Sequence, residues 1–258
     1  MTTAEPQYIS SAANALLKEL RRLAQDSTAY RKQGRIWLEG DHLCRAALAR
    51  GVQPALAVYS ETFWSAEAAK GQRHGKTVVI ADPLFAALSG LESPARMGFV
   101  VDLPPAPELA PQAATVILDR LQDAGNVGAI LRCAAAFGFG QLLAIKGTAA
   151  LWSPKVLRAG MGAHFGLRLI EGLAPDILDA LEVPVITTSS HGGELLHRQA
   201  LPWPCAWALG HEGQGVSEEI AARARMAVRI VQPGGEESLN VASAAAICLH
   251  ASAAGQVG

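Results

Sequence analysis

Apolar residues recur at helical spacing near the start of the chain. Ala13, Leu16, Leu17, Leu20, Leu23 and Ala24 form one stripe within residues 11–25, with Lys18, Arg21 and Arg22 on other faces. The run Ile36-Trp37-Leu38 then predicts a strand. Glu39-Gly40-Asp41 leads from it into a helix through Leu43, Ala47 and Leu48, with Asp41 as the N-cap and Gly51 as the stop. Short apolar runs follow at Ala55–Tyr59, Thr77–Ala81 and Met97–Asp102, with helical segments near Ala66–Lys70 and Pro83–Leu88 between them. This predicts a small αβ domain over residues 1–104.

Residues 103–112, LPPAPELAPQ, hold four prolines, which remove backbone donors and stiffen the chain. They mark a linker. From 112 to 258 the αβ alternation resumes. Strands are predicted at 114–118, 141–145, 183–188, 205–209 and 227–231, and helices at about 126–138, 153–161, 175–181, 217–225 and 240–254. Short buried strands alternating with helices predict an α/β domain whose mostly parallel sheet carries helices on both faces.

Composition narrows the classes. Half of the 258 residues are apolar and 17% are charged, which excludes wholesale disorder. No uncharged apolar run approaches the roughly 20 residues that cross a bilayer, and Met1 to Gln7 has no apolar h-region, so the cytoplasm is the expected compartment. Cys44, Cys133, Cys205 and Cys248 form no C-x-x-C pair, and the seven histidines show no ligand spacing, so reduced cysteines and no metal site are expected. The net charge is −1, but residues 1–50 hold eight Lys or Arg against five acids. A locally basic end suits an anionic partner; the ordinary alternative is a solvated helix face.

Three segments carry candidate chemistry, each where a strand empties into a loop. The first runs from Leu118 to Gly138. A Gly-rich polar turn enters a helix with Asn126 placed to cap it, and Arg132 is the one charge between Asp123 and Lys146. Ligands sit at such carboxyl ends of strands in open α/β sheets, although an arginine snorkelling to the surface reads the same way. The second, Trp207 to Ser217, places Gly210, Gly213 and Gly215 around Glu212, with Ser217 able to cap the next helix. Glycines there let backbone amides approach a ligand. The spacing is not that of a dinucleotide fold, which disfavours a nucleotide-cofactor enzyme. The third, Val228 to Ile247, passes a Pro-Gly-Gly turn and reaches Ser238, Leu239 and Asn240 before an Ala-rich helix.

Read in order as N-x-G-x-x-x-R-x-A-x-x-F-G, L-G-x-E-G-x-G and G-x-x-x-S-L-N-V-A, the segments resemble the three motifs of the SpoU/TrmH family of RNA ribose 2′-O-methyltransferases, over about residues 112–254. Ser153 to Ala163 resembles the family's segment after the second strand. The N-terminal unit, through Trp37-Leu38-Glu39-Gly40 and Ser93 to Val100, is similar to the family's RNA-binding accessory domain. The resemblance implies a deep trefoil knot, a homodimer through the C-terminal domain, and S-adenosylmethionine as cofactor. It would be held by Thr187, Thr188, Leu209, Gly210, Gly215, Ile230 and Leu239, with the stretch to Gly193 completing the pocket. Arg132 matches the catalytic arginine, as base or as a fixed cation at the 2′-oxygen, with Asn126, Glu212, Ser238 and Asn240 positioning it and the ribose. Cys133, Gln232 and Gly160-Met161 depart from the commonest pattern without touching these residues. RNA phosphates would meet Arg21, Arg22, Arg31, Lys32 and Arg35, and Arg158 would face either RNA or the dimer. Ribosomal RNA is the favoured substrate, ahead of transfer RNA. A non-catalytic RNA-binding assembly factor on the same fold is the remaining alternative.

Overall fold

The computed structural model describes residues 5–68, 74–89, 93–189, 192–234 and 238–256. The chain begins with β1 (Gln7–Ile9), α1 (Ala15–Gln25), α2 (Ala29–Gln33), β2 (Arg35–Glu39), α3 (Asp41–Ala49), β3 (Leu56–Ser60), α4 (Glu61–Ala68), β4 (Thr77–Ile80), α5 (Asp82–Ala86) and β5 (Met97–Asp102). It continues with β6 (Thr115–Asp119), α6 (Ala124–Ala136), β7 (Gln141–Ile145), α7 (Pro154–Gly160), β8 (Arg168–Leu173), β9 (Val185–Thr188), β10 (Glu194–Leu195), β11 (Ala206–Gly210), α8 (Glu218–Ala221), β12 (Met226–Arg229) and α9 (Val241–Ala254).

Two units emerge. The first contains Met1–Pro105 together with Trp152–Phe165; the second contains Ala106–Leu151 and Gly166–Gly258. Helix α7 was expected to belong with the C-terminal domain, yet it groups with the N-terminal unit. Its Arg158 guanidinium lies 3.2 Å from Glu39, whose side chain is 1% exposed. That pairing, reinforced by a hydrogen bond from the Ser89 hydroxyl to Glu39, satisfies a carboxylate that would otherwise be buried alone.

The first unit is a five-stranded mixed sheet ordered β1-β4-β3-β5-β2. Leu17, Leu20 and Leu23 of α1 are buried in one cluster with Trp37, Val58, Val78, Ile80 and Phe85, which is the apolar stripe the spacing predicts. The helix starts at Ala15 because the Asn14 side chain accepts from Leu16 N and Leu17 N. Asp41 is not the cap of α3. Gly40 holds that place at φ +95°, and Asp41 instead accepts from Arg45 Nε one turn on. Helix α4 starts at Glu61, earlier than expected, and residues 69–70 lie outside the described residues. Strand β1 and helix α2 were not anticipated: they are three and five residues long, and Tyr8 on β1 is 63% exposed, so no apolar run marks them.

The second unit is a seven-stranded parallel sheet ordered β10-β12-β9-β11-β6-β7-β8. Alternation along its strands sorts two faces. Ile117, Leu143, Ala206 and Ala208 are buried with Leu178 and Ile220. Trp207 points the other way, and its indole N–H donates to Ser252 of α9 at 2.9 Å. The expected helix at 175–181 is a 3-10 helix, Pro175–Ala180, and the expected helix at 217–225 shortens to α8. Edge strand β8 escaped notice because Glu171 and Gly172 (φ +76°) interrupt its apolar run, the Glu171 carboxylate being used by the backbone of Leu151; the two-residue β10 is too short to leave a pattern. Three cysteines are buried and Cys133 is partly so; burial pushes the Cys205 thiol up to about 11 and that of Cys248 up to about 12.

Candidate active site

The three motif segments converge because their strands are neighbours in a parallel sheet, so their carboxyl ends lie along one edge. Asp119, last in β6, pairs in register with Gly210, last in β11; Ala208 pairs with Thr187 of β9, and Thr188 with Val228 of β12.

At the end of β6 the chain turns sharply. Arg120 takes φ +60°, a left-handed conformation that a side chain resists. Three contacts hold it: its N–H donates to Thr148 Oγ1, its Nε to Asp119 at 2.9 Å and its guanidinium to Gln214 at 2.9 Å; the Thr148 hydroxyl in turn donates to the Leu118 carbonyl. Asp119, 1% exposed, uses its second oxygen to accept from Ser217 N at 2.6 Å. One buried carboxylate thus ties the far end of the loop after β11 to the turn after β6. Asp123 then caps α6, its side chain accepting from Asn126 N at 2.7 Å. This corrects the expected cap: Asn126 lies inside the first turn, with its amide free for other work.

After β11 the backbone doubles back. His211 and Gly215 form an antiparallel bridge, and a Cβ at Gly210 would lie 2.0 Å from the Gly215 carbonyl carbon. Only glycine fits under such a crossing. The loop presents Glu212 to α6, where its carboxylate accepts from the N–H groups of Gln122 (3.2 Å) and Asp123 (3.0 Å) and from the Asn126 amide (3.3 Å). Burial pushes this carboxyl up, but hydrogen bonds from its own backbone, Asp123, Gln122 and Asn126 outweigh it, so Glu212 ionises below its ordinary value.

The relay continues into the third segment. Asn240 caps α9, its Oδ1 accepting from Ala242 N and Ser243 N, which leaves its Nδ2 to donate to Asn126 Oδ1 at 2.9 Å. The direction is forced at both ends: helix N–H groups need an acceptor and a carboxylate needs a donor. Glu212, Asn126 and Asn240 therefore form one polarised chain across the three motifs.

Two expected members stand outside that chain. Arg132 and Ser238 are exposed and make no hydrogen bond or ion pair among the described residues. Arg132 is not held by Asn126 or Glu212; the small residues Gly128 and Ala129 stand one turn nearer the N terminus of α6, and Gly125 two turns nearer. Helical side chains tilt toward that end, and these small residues leave its path clear. Of the expected cofactor residues, Thr187 and Leu209 are buried, Thr188 and Ile230 half-buried, Gly215 exposed and Leu239 39% exposed. Ser190 and His191, and Gly235 to Glu237 of the third segment, lie outside the described residues.

The same edge shows signs of a place for a ligand. Among the described residues, Ser217 Oγ and Gln232 Oε1 are buried without a hydrogen-bond partner, Ser217 making no cap bond to α8 although it holds the cap position. Val231, two residues past the end of β12, is 52% exposed. Orphaned polar atoms beside exposed apolar side chains and glycine backbone suit a molecule with both an aromatic ring and hydrogen-bonding edges. Sequence reading missed Asp119, Arg120, Thr148 and Gln214; an acid–base pair closing an apolar strand was the available signal.

In the first unit, Arg22, Arg31, Lys32 and Arg35 are exposed and Arg21 half-buried. Arg35 is partly neutralised by Asp102 (3.4 Å) and Glu19 (3.9 Å), and Arg31 leans on Tyr30. Arg158, engaged with Glu39, is not a free cation for RNA or a dimer.

A parallel α/β sheet with a glycine-rich loop edge defines the class. Comparison with known proteins then places the chain. Residues 113–250 match the model of the SpoU rRNA Methylase family, and residues 14–97 that of the MRM3-like substrate binding domain. The protein belongs to the SpoU rRNA methylase family. It is 29% identical, over 95% of its length and 98% of the relative's, to the 23S rRNA (guanosine(2553)-2′-O)-methyltransferase RlmP of Bacillus subtilis. It is 31% identical to the 23S rRNA (guanosine-2′-O-)-methyltransferase RlmB of Bordetella pertussis, over 71% of this chain and 72% of that one. An AdoMet-bound rRNA methyltransferase from Sinorhizobium meliloti superposes with a TM-score of 0.82 at 25% identity, covering 96% and 98% of the two chains.

Proposed function

We propose that the protein transfers a methyl group from S-adenosylmethionine to a ribose 2′-hydroxyl of ribosomal RNA. The observation that carries this reading is the Glu212–Asn126–Asn240 chain, which joins three strand-end motifs, with Arg132, unpaired among the described residues, on the same helix as Asn126. The family match and relatives named as ribosomal RNA 2′-O-methyltransferases support it.

The cofactor supplies an electrophilic methyl on a sulfonium centre. Leu209, Ile230 and Leu239 offer its adenine an apolar slot, the Gly210–Gly215 backbone and Thr187–Thr188 offer hydrogen bonds, and Ser217 and Gln232 hold polar atoms that lack partners. A ribose hydroxyl is a weak nucleophile; as its oxygen takes the methyl, the S–CH3 bond would break with its electron pair staying on sulfur as a neutral thioether, and the hydroxyl proton would pass to solvent water. A guanidinium carries five donors and no acceptor, so Arg132 acts as a fixed cation. It stabilises charge on the 2′-oxygen and grips a neighbouring phosphate. Asn126 and Asn240 set the helix ends around the ribose, and Ser238 donates to it.

We further propose a trefoil-knotted C-terminal domain, near residues 112–258 apart from 152–165, that dimerises in the cytoplasm. Ile247, 41% exposed on the apolar helix α9, supports a covered helix face. Among the described residues no helix is long and apolar enough to cross a membrane. Basic residues Arg21, Arg22, Arg31, Lys32 and Arg35 supply phosphate contacts from the N-terminal unit.

Mapping of ribose methylations in ribosomal RNA from cells with and without the gene tests the activity; an unchanged map refutes it. Arg132→Ala is expected to abolish methylation while S-adenosylmethionine affinity stays within about threefold. Near-normal turnover of that variant would remove Arg132 from the mechanism.

A further inference from the structure

The substrate-binding unit contains a cavity of about 370 Å³ that the catalytic reading leaves unused. It opens at the carboxyl ends of the parallel strands β3 and β4 and is lined by Ser60, Thr62, Asp82, Phe85, Ser93 and Arg96, among others. Its chemistry is two-sided. Pro94 and the alanines Ala86 and Ala95 form an apolar wall. Facing it, Asp82 accepts from Thr62 N at 3.1 Å and from the Thr62 hydroxyl. Those two bonds, helped by the Ser60 hydroxyl and the charge of Arg96, hold the Asp82 carboxyl below its ordinary value. A carboxylate has about four acceptor positions, so these donors fix its orientation without exhausting it. Arg96 is exposed at the rim and has no ion pair among the described residues.

An apolar wall, a fixed acceptor edge and a cation match one unstacked nucleotide: base face, base edge and phosphate. The volume is in the range of sites that take a ligand of that size. We propose that this cavity holds an extruded nucleobase of the RNA substrate, a guanine, whose adjacent N1–H and N2–H groups donate to Asp82 while Arg96 meets its phosphate. The inference rests on RNA being the substrate and adds a recognition point remote in sequence from the three motifs.

The test uses the full-length protein and the four nucleoside 5′-monophosphates, followed in TROSY spectra. GMP is expected to shift the amide signals of Thr62, Asp82 and Arg96 saturably and to bind about tenfold more tightly than UMP. Asp82→Asn should erase that preference, and Ala86→Trp, which fills the cavity from an exposed position, should erase binding. With hypomethylated ribosomal RNA from cells lacking the gene, both variants should raise the RNA KM about fivefold or more while kcat and cofactor Kd hold. Equal shifts for all four nucleotides, a preference that survives Asp82→Asn, or no shifts together with an unchanged RNA KM in Ala86→Trp would overturn the proposal. Loss of methylation by the unaltered protein would instead strike the catalytic reading, because the nucleotide titration does not depend on turnover.

Discussion

Glu212 links two of the motif segments through hydrogen bonds alone. Its carboxylate closes the loop after β11 onto the start of α6 and orients Asn126 toward Asn240. Because its folded-state pKa is depressed, the stabilisation is present above the ordinary carboxylate range and is lost only as pH falls through the lower folded value. Between about pH 5 and 8 the anchor stays ionised. Glu212→Gln should therefore lower methylation by about tenfold or more, through one lost charged acceptor, yet leave the shape of the rate–pH profile unaltered over that range. A change of shape would mean that Glu212 titrates in the reaction. Glu212, Asn126 and Asn240 were legible as residue types at motif positions. What they bond to was not: Asp123 took the capping place expected of Asn126, freeing that amide for the relay.

At the scale of elements, the loop from Gly210 to Ser217 is clamped twice, by Asp119 on Ser217 N and by Arg120 on Gln214. The doubled-back backbone leaves no room above Gly210. Gly210→Ala places a methyl 2.0 Å from the Gly215 carbonyl carbon and 2.1 Å from Val216 N, so the loop must move. Cofactor affinity measured by calorimetric titration should fall by at least about tenfold, the consequence of a misplaced loop. Gly140→Ala, where nothing lies within 4 Å, should bind as the parent does. Equal affinities in the two variants would show that the loop does not hold the cofactor. Strands with unbroken apolar runs, β3, β6, β7 and β11, were all visible in the sequence. Strand β8 was hidden by Glu171 and Gly172, and the 175–180 helix has the spacing of α but the hydrogen bonding of a short 3-10 turn.

For the whole molecule, ligand linkage supplies a test. If S-adenosylmethionine binds the folded C-terminal unit and not its unfolded chain, a concentration 100 times Kd stabilises that unit by about 2.7 kcal/mol. Scanning calorimetry should show its transition moving upward by several degrees, and an unmoved transition would refute cofactor binding. The order of three motifs, each at a strand end, determined the family, the reaction class and the αβ alternation, because strand-to-loop punctuation and glycine spacing are local properties written directly in residue types. Tertiary structure alone decided which strands are neighbours, that α7 groups with the N-terminal unit through Glu39 and Arg158, and that Asp119 and Arg120 brace the loop. Those contacts join residues dozens of positions apart, and their partners are selected by sheet order and burial, which no local pattern encodes.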